Sequence, residues 1–121
     1  MIREDSFKRG KNNIEMLLLN ILCDQDYYGY ELTMLVNKYS NQMMSLPVGS
    51  LYPILYKLQE KGYVSSQKKL VGIRKERIYY HIEPAGKEYL QALISDYNYI
   101  NKAIQNVLNH NYIKVEDSNH E

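Results

Sequence analysis

The sequence predicts a mainly α chain carrying one small β-hairpin, and three observations predict it. Apolar residues recur at i, i+3, i+4 and i+7 in four separate segments, the mark of amphipathic helices. Between residues 63 and 82 the period changes to two, the mark of half-buried strands. Glycine and proline punctuate those changes: Gly62 closes the third helical segment and Pro84 opens the fourth.

Each element follows from its own residues. Ile14, Leu17, Leu18, Ile21 and Leu22 make one apolar stripe, so a first helix covers about residues 12–23. The run DQDYYG interrupts it. Tyr28, Leu32, Leu35, Val36 and Tyr39 give a second helix over about 28–40, followed by a loop, SNQMMSLP. Leu51, Ile54, Leu55 and Leu58 give a third helix, capped by Ser45 and stopped at Gly62 just after Lys61. YVSSQKKL then reads as a strand, VGIRK as a turn and ERIYYHI as a second strand. In that strand Ile78, Tyr80 and Ile82 share one face, and Arg77, Tyr79 and His81 share the other. The last helix starts at Pro84, where a first-turn proline is tolerated, and runs to about Asn109. Three helices followed by a two-stranded ribbon make a winged helix-turn-helix, here assigned to residues 1–83. Residues 84–110 form a C-terminal dimerisation helix and residues 111–121 a disordered tail.

The third helix carries an anomaly. Gly49 and Pro53 both oppose a helix interior, Pro53 by roughly 3 kcal/mol. Both lie off the apolar stripe, near the helix N-terminus. Free amides and a partial positive charge gather there and suit phosphate. Small residues at such a place let the backbone come close to another surface, and Ser50 can donate or accept a hydrogen bond. The alternative is a surface helix that Pro53 merely kinks.

At 121 residues the chain is one domain with enough apolar content for a core. Cys23 is the one cysteine, so no internal disulfide forms, and no Cys/His cluster has metal spacing. Cys23 ends an apolar stripe and reads as an inert core thiol. The first residues, MIREDSFKRGKNN, are too charged for a signal peptide, and the longest apolar run, MLLLNIL, is far short of a membrane span. A cytoplasmic protein is expected. His81, His110 and His120 are scattered, and Asp24 and Asp26 suit capping or solvating a loop. With no nucleophile–base pair, paired carboxylates or phosphate loop, neither an enzyme nor a cofactor is expected.

Charge is placed unevenly. Residues 57–77 hold Lys57, Lys61, Lys68, Lys69, Arg74, Lys75 and Arg77 against Glu60 and Glu76, a net of +5; since the chain totals +1, the remainder is −4. The excess lies on the end of the third helix and on the hairpin, the elements that a winged helix turns toward DNA. Lys8, Arg9 and Lys11 form a smaller basic cluster that is either a second contact or a solvated surface. In the last helix Leu90, Leu93, Tyr97, Ile100, Ile104 and Val107 step by threes and fours, as heptad a and d positions do. That seam packs either on a partner helix or on the chain's own first helix.

Three stretches together resemble one family. YGYEL (28–32), GSLYPILYKLQEKGYV (49–64) and RKERIYYHIEPAGKEYL (74–90) are similar to the pattern of the PadR family of bacterial transcription regulators. The short last helix resembles the subgroup that includes multidrug-responsive repressors. The resemblance implies a homodimer joined through that helix and bound to a palindromic operator in double-stranded DNA. Read with the wing charges, it gives a DNA site of Tyr28, Gly49, Ser50, Tyr52, Lys57, Lys68, Lys69, Arg74 and Lys75. It also implies a central pore for a planar aromatic effector, lined here by Asn13, Met16, Asn20, Leu93, Tyr97 and Asn101. Three departures stand out. Glu83 replaces the usual threonine before the last helix, which predicts a looser helix start. Leu46 stands where a capping residue is usual. No tryptophan exists to stack a ligand, and Tyr97 takes its place, as a pore wall or as a seam residue that closes the pore. A winged helix used for protein contacts alone is the other reading of the whole.

Overall fold

The computed structural model describes residues 13–119. Among them are four helices, α1 (Asn13–Leu22), α2 (Gly29–Tyr39), α3 (Val48–Glu60) and α4 (Pro84–Asn119). Three strands, β1 (Tyr27–Tyr28), β2 (Val64–Leu70) and β3 (Glu76–Ile82), form one antiparallel sheet in the order β1-β3-β2. The predicted winged helix-turn-helix with one helix after it is therefore the fold. The hairpin lies within one residue of the expected bounds, its first strand starting at Val64 rather than Tyr63, with Val64 opposite Ile82 and Leu70 opposite Glu76.

One strand was not foreseen. The DQDYYG break contains β1, which pairs Tyr27 with Tyr80 and Tyr28 with Tyr79. Two residues carry no readable alternation, so only the tertiary pairing defines this strand. It also trims the second helix. Tyr28 is extended and caps α2, its N–H donating to the Glu31 carboxylate at 3.2 Å.

The core is one cluster. Leu18, Leu19 and Leu22 of α1, Leu32 and Val36 of α2, Leu51, Leu55 and Leu58 of α3, and Val64, Tyr80 and Ile82 of the sheet are all buried in it. Leu51, Leu55 and Leu58 are wholly enclosed. At about 2 kcal/mol for each buried leucine this stripe exceeds the roughly 3 kcal/mol that Pro53 costs, so α3 survives its proline.

Helix boundaries correct several expectations. Pro47, not Ser45, is the N-cap of α3; its carbonyl accepts from the Ser50 and Leu51 N–H groups at 2.9 and 3.1 Å, while Leu46 turns into the core. At the other end Gly62 is left-handed (φ 78°), Tyr63 N–H reaches Leu58 O at 2.9 Å and Gly62 N–H reaches Gln59 O at 3.0 Å. That pair of bonds is a Schellman stop, as the glycine predicted. The start of α4 is anchored. Ser65 Oγ donates to Glu83 Oε1 at 2.6 Å, and Glu83 N–H donates to Tyr63 O at 3.0 Å. Glu83 thus ties the helix to β2 in place of a threonine cap.

Two expectations for the last helix and one for the first change more. Helix α4 continues past the expected end near Asn109 to Asn119, and no glycine or proline follows Gly86 to stop it. Leu90 and Leu93 are buried in the chain's own core, where α4 packs on α1, so they leave the exposed seam. Cys23 is exposed rather than a core thiol. The Lys8, Arg9 and Lys11 cluster and His120 lie outside the described residues.

Candidate nucleic-acid interface

Helix α3 shows how its anomalous residues are used. The line opposite its buried leucines is Gly49, Pro53, Tyr56 and Glu60, all exposed, with exposed Ser50 and Lys57 on the flank toward α1. A Cβ placed on Gly49 would meet no atom within 4 Å, so nothing inside the chain requires glycine there. Pro53 leaves the Gly49 carbonyl without its helical N–H on that same exposed line.

Gly29 offers the contrast. A Cβ there would lie 2.5 Å from the Tyr52 hydroxyl, because Tyr52 lays its ring on the first turn of α2. Tyr52 is therefore half-buried and serves helix packing, whereas its neighbour Tyr56, ring centroids 6.0 Å apart, is 60% exposed. Sequence reasoning chose Tyr52 and missed Tyr56. The signal was available, since Tyr56 falls one turn after Pro53 on the polar face.

Lys57 is engaged inside the chain. Its Nζ lies 3.7 Å from Oε1 of Glu15 on α1, a carboxylate that also accepts from the Tyr89 hydroxyl of α4 at 2.7 Å. Glu15 precedes Leu18, Leu19 and Leu22 by three, four and seven positions, so it shares their buried face of α1, a signal that the stripe of Ile14, Leu17, Leu18, Ile21 and Leu22 passed over.

The hairpin distributes its cations by the strand period. Lys68 pairs opposite Ile78 on the face that continues the core, and Lys69 pairs opposite Arg77 on the outer face. Residues Val71–Lys75 turn the chain through two left-handed positions, Gly72 and Arg74 (φ 71° each), closed by a Val71 N–H bond to Lys75 O at 2.7 Å. Arg74 and Lys75 are exposed on this turn beside Ile73, which is 94% exposed.

The outer face of the sheet holds a ladder of rings and cations. The Arg77 guanidinium lies 4.3 Å from the Tyr28 ring centroid, Tyr28 meets Tyr79 edge to face at 5.6 Å, and Lys69 Nζ lies 4.9 Å from the Tyr79 centroid. Each cation is attracted by the negative face of its ring, which fixes long side chains that would otherwise sweep freely. Arg77 was absent from the predicted site, because its placement depends on β1 bringing Tyr28 beside Tyr79. At the end of this face His81 Nδ1 and Asp26 Oδ1 are 2.7 Å apart, so Asp26 holds a histidine rather than a loop turn. Asp24 accepts from the Tyr27 hydroxyl at 2.7 Å, which helps push that phenol up to about 12.

The residues expected to line an effector pore sit on α1 and α4. Asn13, Asn20, Tyr97 and Asn101 are exposed, Met16 is half-buried and Leu93 is buried, so Leu93 cannot line a surface. Tyr97 continues into an exposed apolar stretch of α4 with Ile104, Val107 and Leu108. Among the described residues no group of His, Cys, Asp or Glu could hold a metal ion, and no helix is long and apolar enough to cross a membrane.

The model of the transcriptional regulator PadR-like family matches residues 18–92. A transcriptional regulator of Clostridium thermocellum superposes with a TM-score of 0.74 at 23% identity, over 88% of this chain and 97% of that one. A PadR family transcription regulator of Clostridium difficile superposes at 0.68 and 26% identity, over 78% and 97%. A Bacillus subtilis PadR, solved in complex with operator DNA, superposes at 0.64 and 23% identity, over 69% of this chain and 46% of that chain.

Proposed function

The chain belongs to the PadR-like family of transcriptional regulators, and from that premise we propose that it is a cytoplasmic repressor that binds a palindromic operator as a homodimer. The observation that carries the reading is the exposed line of α3. Nothing inside the chain requires its glycine, its proline is exposed, and beside it stands a wing with exposed Lys68, Lys69, Arg74 and Lys75. A helix that gives up stability on its outer face to keep that face small is shaped for close approach. Helix α3 enters the major groove, with Gly49, Ser50, Pro53 and Tyr56 nearest the bases. The wing and the Arg77–Tyr28–Tyr79–Lys69 ladder hold phosphates.

The dimer uses the exposed part of α4, Tyr97 through Val107, which the chain's own core does not cover. The resemblance to the short-tailed, multidrug-responsive subgroup extends the proposal to an effector. A planar aromatic molecule would stack on Tyr97, with Asn20 and Asn101 orienting a polar edge. Such a ligand acts by binding two spacings of the reading helices unequally.

The deciding experiment is a mobility-shift titration on the promoter of the chain's own gene, with salt varied and Ser50→Glu compared. Salt-dependent binding that Ser50→Glu abolishes in a folded protein supports the reading. Ser50→Glu binding at unchanged affinity removes α3 as the reader. No binding at any salt leaves a winged helix used for protein contacts.

A further inference from the structure

We propose that Glu15 withholds Lys57 from DNA, so that helix α3 carries a cation held in reserve by the protein itself. The inference rests on the DNA-binding reading above. Lys57 stands beside the exposed line of α3, about two turns beyond Ser50, where a lysine would ordinarily contact phosphate. Its partner is unusual. Glu15 is only 5% exposed, and a buried carboxylate must be partnered to remain charged. It has two partners from two other helices. Tyr89 of α4 donates to Oε2 at 2.7 Å, and Lys57 of α3 stands 3.7 Å from Oε1. Tyr89 is itself fixed, stacked on Tyr63 with centroids 4.3 Å apart and planes 13° from parallel.

The two sides of the ion pair differ in their freedom. The Glu15 side chain is 7% exposed and cannot turn to water; the Lys57 side chain is 52% exposed and can. If Lys57 left for a phosphate, Glu15 would remain as a buried charge with one neutral hydrogen bond. Breaking a buried pair on one side leaves an uncompensated charge, a greater cost than one solvent-screened phosphate contact returns. Lys57 therefore stays with Glu15 in the DNA complex. Because Tyr89 belongs to α4, a shift of α4 against α1 acts on the same carboxylate, and the strength with which α3 holds DNA follows the position of the C-terminal helix. Glu15 is a positioning residue; it touches no DNA.

The test reads the salt dependence of DNA affinity, which counts phosphate contacts and is blind to ordinary changes in stability. Full-length protein is titrated into a mixed-sequence duplex and into the promoter fragment at several salt concentrations. Glu15→Gln keeps the size of the side chain and an oxygen for Tyr89, and frees Lys57. The slope of log K against log salt should steepen by about 0.9 for each chain bound, with tighter binding to both duplexes. Lys57→Gln in the wild-type background should leave the slope unchanged, and in the Glu15→Gln background should remove the gain. An unchanged slope in folded Glu15→Gln overturns the proposal, as does a loss of about 0.9 from Lys57→Gln alone. Should Glu15→Gln fail to fold, Lys57→Gln decides: a lowered melting temperature with an unchanged slope supports the proposal, and an unchanged melting temperature overturns it. If the wild type binds neither duplex, the DNA reading itself fails. Non-additive melting temperatures in the Glu15, Lys57 cycle then show that the pair exists without that role.

Discussion

Replacing Gly49 by alanine separates what α3 does for the fold from what it does outside it. Gly49 is exposed in the first turn of α3, has no left-handed backbone, and would give its new Cβ no neighbour within 4 Å. Alanine is favoured over glycine in a helix by up to about 1 kcal/mol, so the variant should gain roughly 0.5–1 kcal/mol in stability. For a chain of this size that raises the melting temperature by about 2–4 °C. Binding should move the other way. If α3 lies against DNA at Gly49, the methyl group enters a filled contact, where overpacking costs about 1–3 kcal/mol. That weakens operator binding by roughly 5- to 150-fold for each chain bound. Circular-dichroism melting and fluorescence anisotropy on the same preparation measure both. A variant that is more stable and binds with unchanged affinity refutes the close approach. Gly86 is the control for the same chemical change. Its added Cβ would run into the Tyr63 carbonyl oxygen and lie 2.9 Å from Ile82 Cγ1, and backbone cannot step aside as a flexible side chain can. Gly86→Ala should lose about 2 kcal/mol, or roughly 8 °C, with its DNA affinity impaired only through folding.

Other expected outcomes test the remaining parts. Neutralising Arg74 and Lys75 to glutamine should weaken binding to all sequences alike and lower the salt slope by about one to two units per chain; a loss confined to one operator means that the wing reads bases. Changing Ile100 and Ile104 together to aspartate should convert the dimer to monomers in sedimentation, and a wild type already monomeric at micromolar concentration defeats the seam. Burial pushes the Tyr80 phenol up to about 12, and the bond to Asp24 pushes Tyr27 up to about 12. Both folded values lie above the unfolded value near 10. Their contribution is complete below pH 10 and is lost as pH rises from 10 toward 12. Urea midpoints should fall over that interval, and Tyr80→Phe should fall less; a midpoint independent of pH between 9 and 11.5 contradicts the linkage.

What the sequence disclosed followed its long periods. The leucine stripes of α1 and α3 and the alternation of β3 were legible because each pattern repeats along its element, and Gly62 and Pro84 marked a helix end and a helix start by their own backbone preferences. Features made by single contacts were not. Strand β1 is two residues long, and only its partner Tyr79–Tyr80 makes it a strand. That hid the place of Arg77, whose ring partner Tyr28 is 49 positions away in sequence. Glu15 shares a face with Leu18, Leu19 and Leu22, but the partners that meet it there, Lys57 and Tyr89, come from α3 and α4. The heptad spacing of the last helix runs through two environments. Leu90 and Leu93 serve the chain's own core while Ile104 and Val107 stay exposed, and spacing alone carries no mark of where one use ends.

Helix α4 is mechanically a cantilever. Its root is clamped, with Gly86 against Tyr63, Glu83 tied to Ser65, and Leu90 and Leu93 sunk in the core. From Leu93 to Asn119 it extends about 39 Å with no glycine or proline to flex. A tilt of about 5° at the root displaces the far end by roughly 3 Å. The leverage also runs backward: in the proposed homodimer, gripped along Ile104 and Val107, a small angular change between the chains would swing the two heads apart by a sizeable part of a major groove about 12 Å wide. Stiffness in this one rod, rather than any flexible joint, sets how finely the separation of the heads can be adjusted.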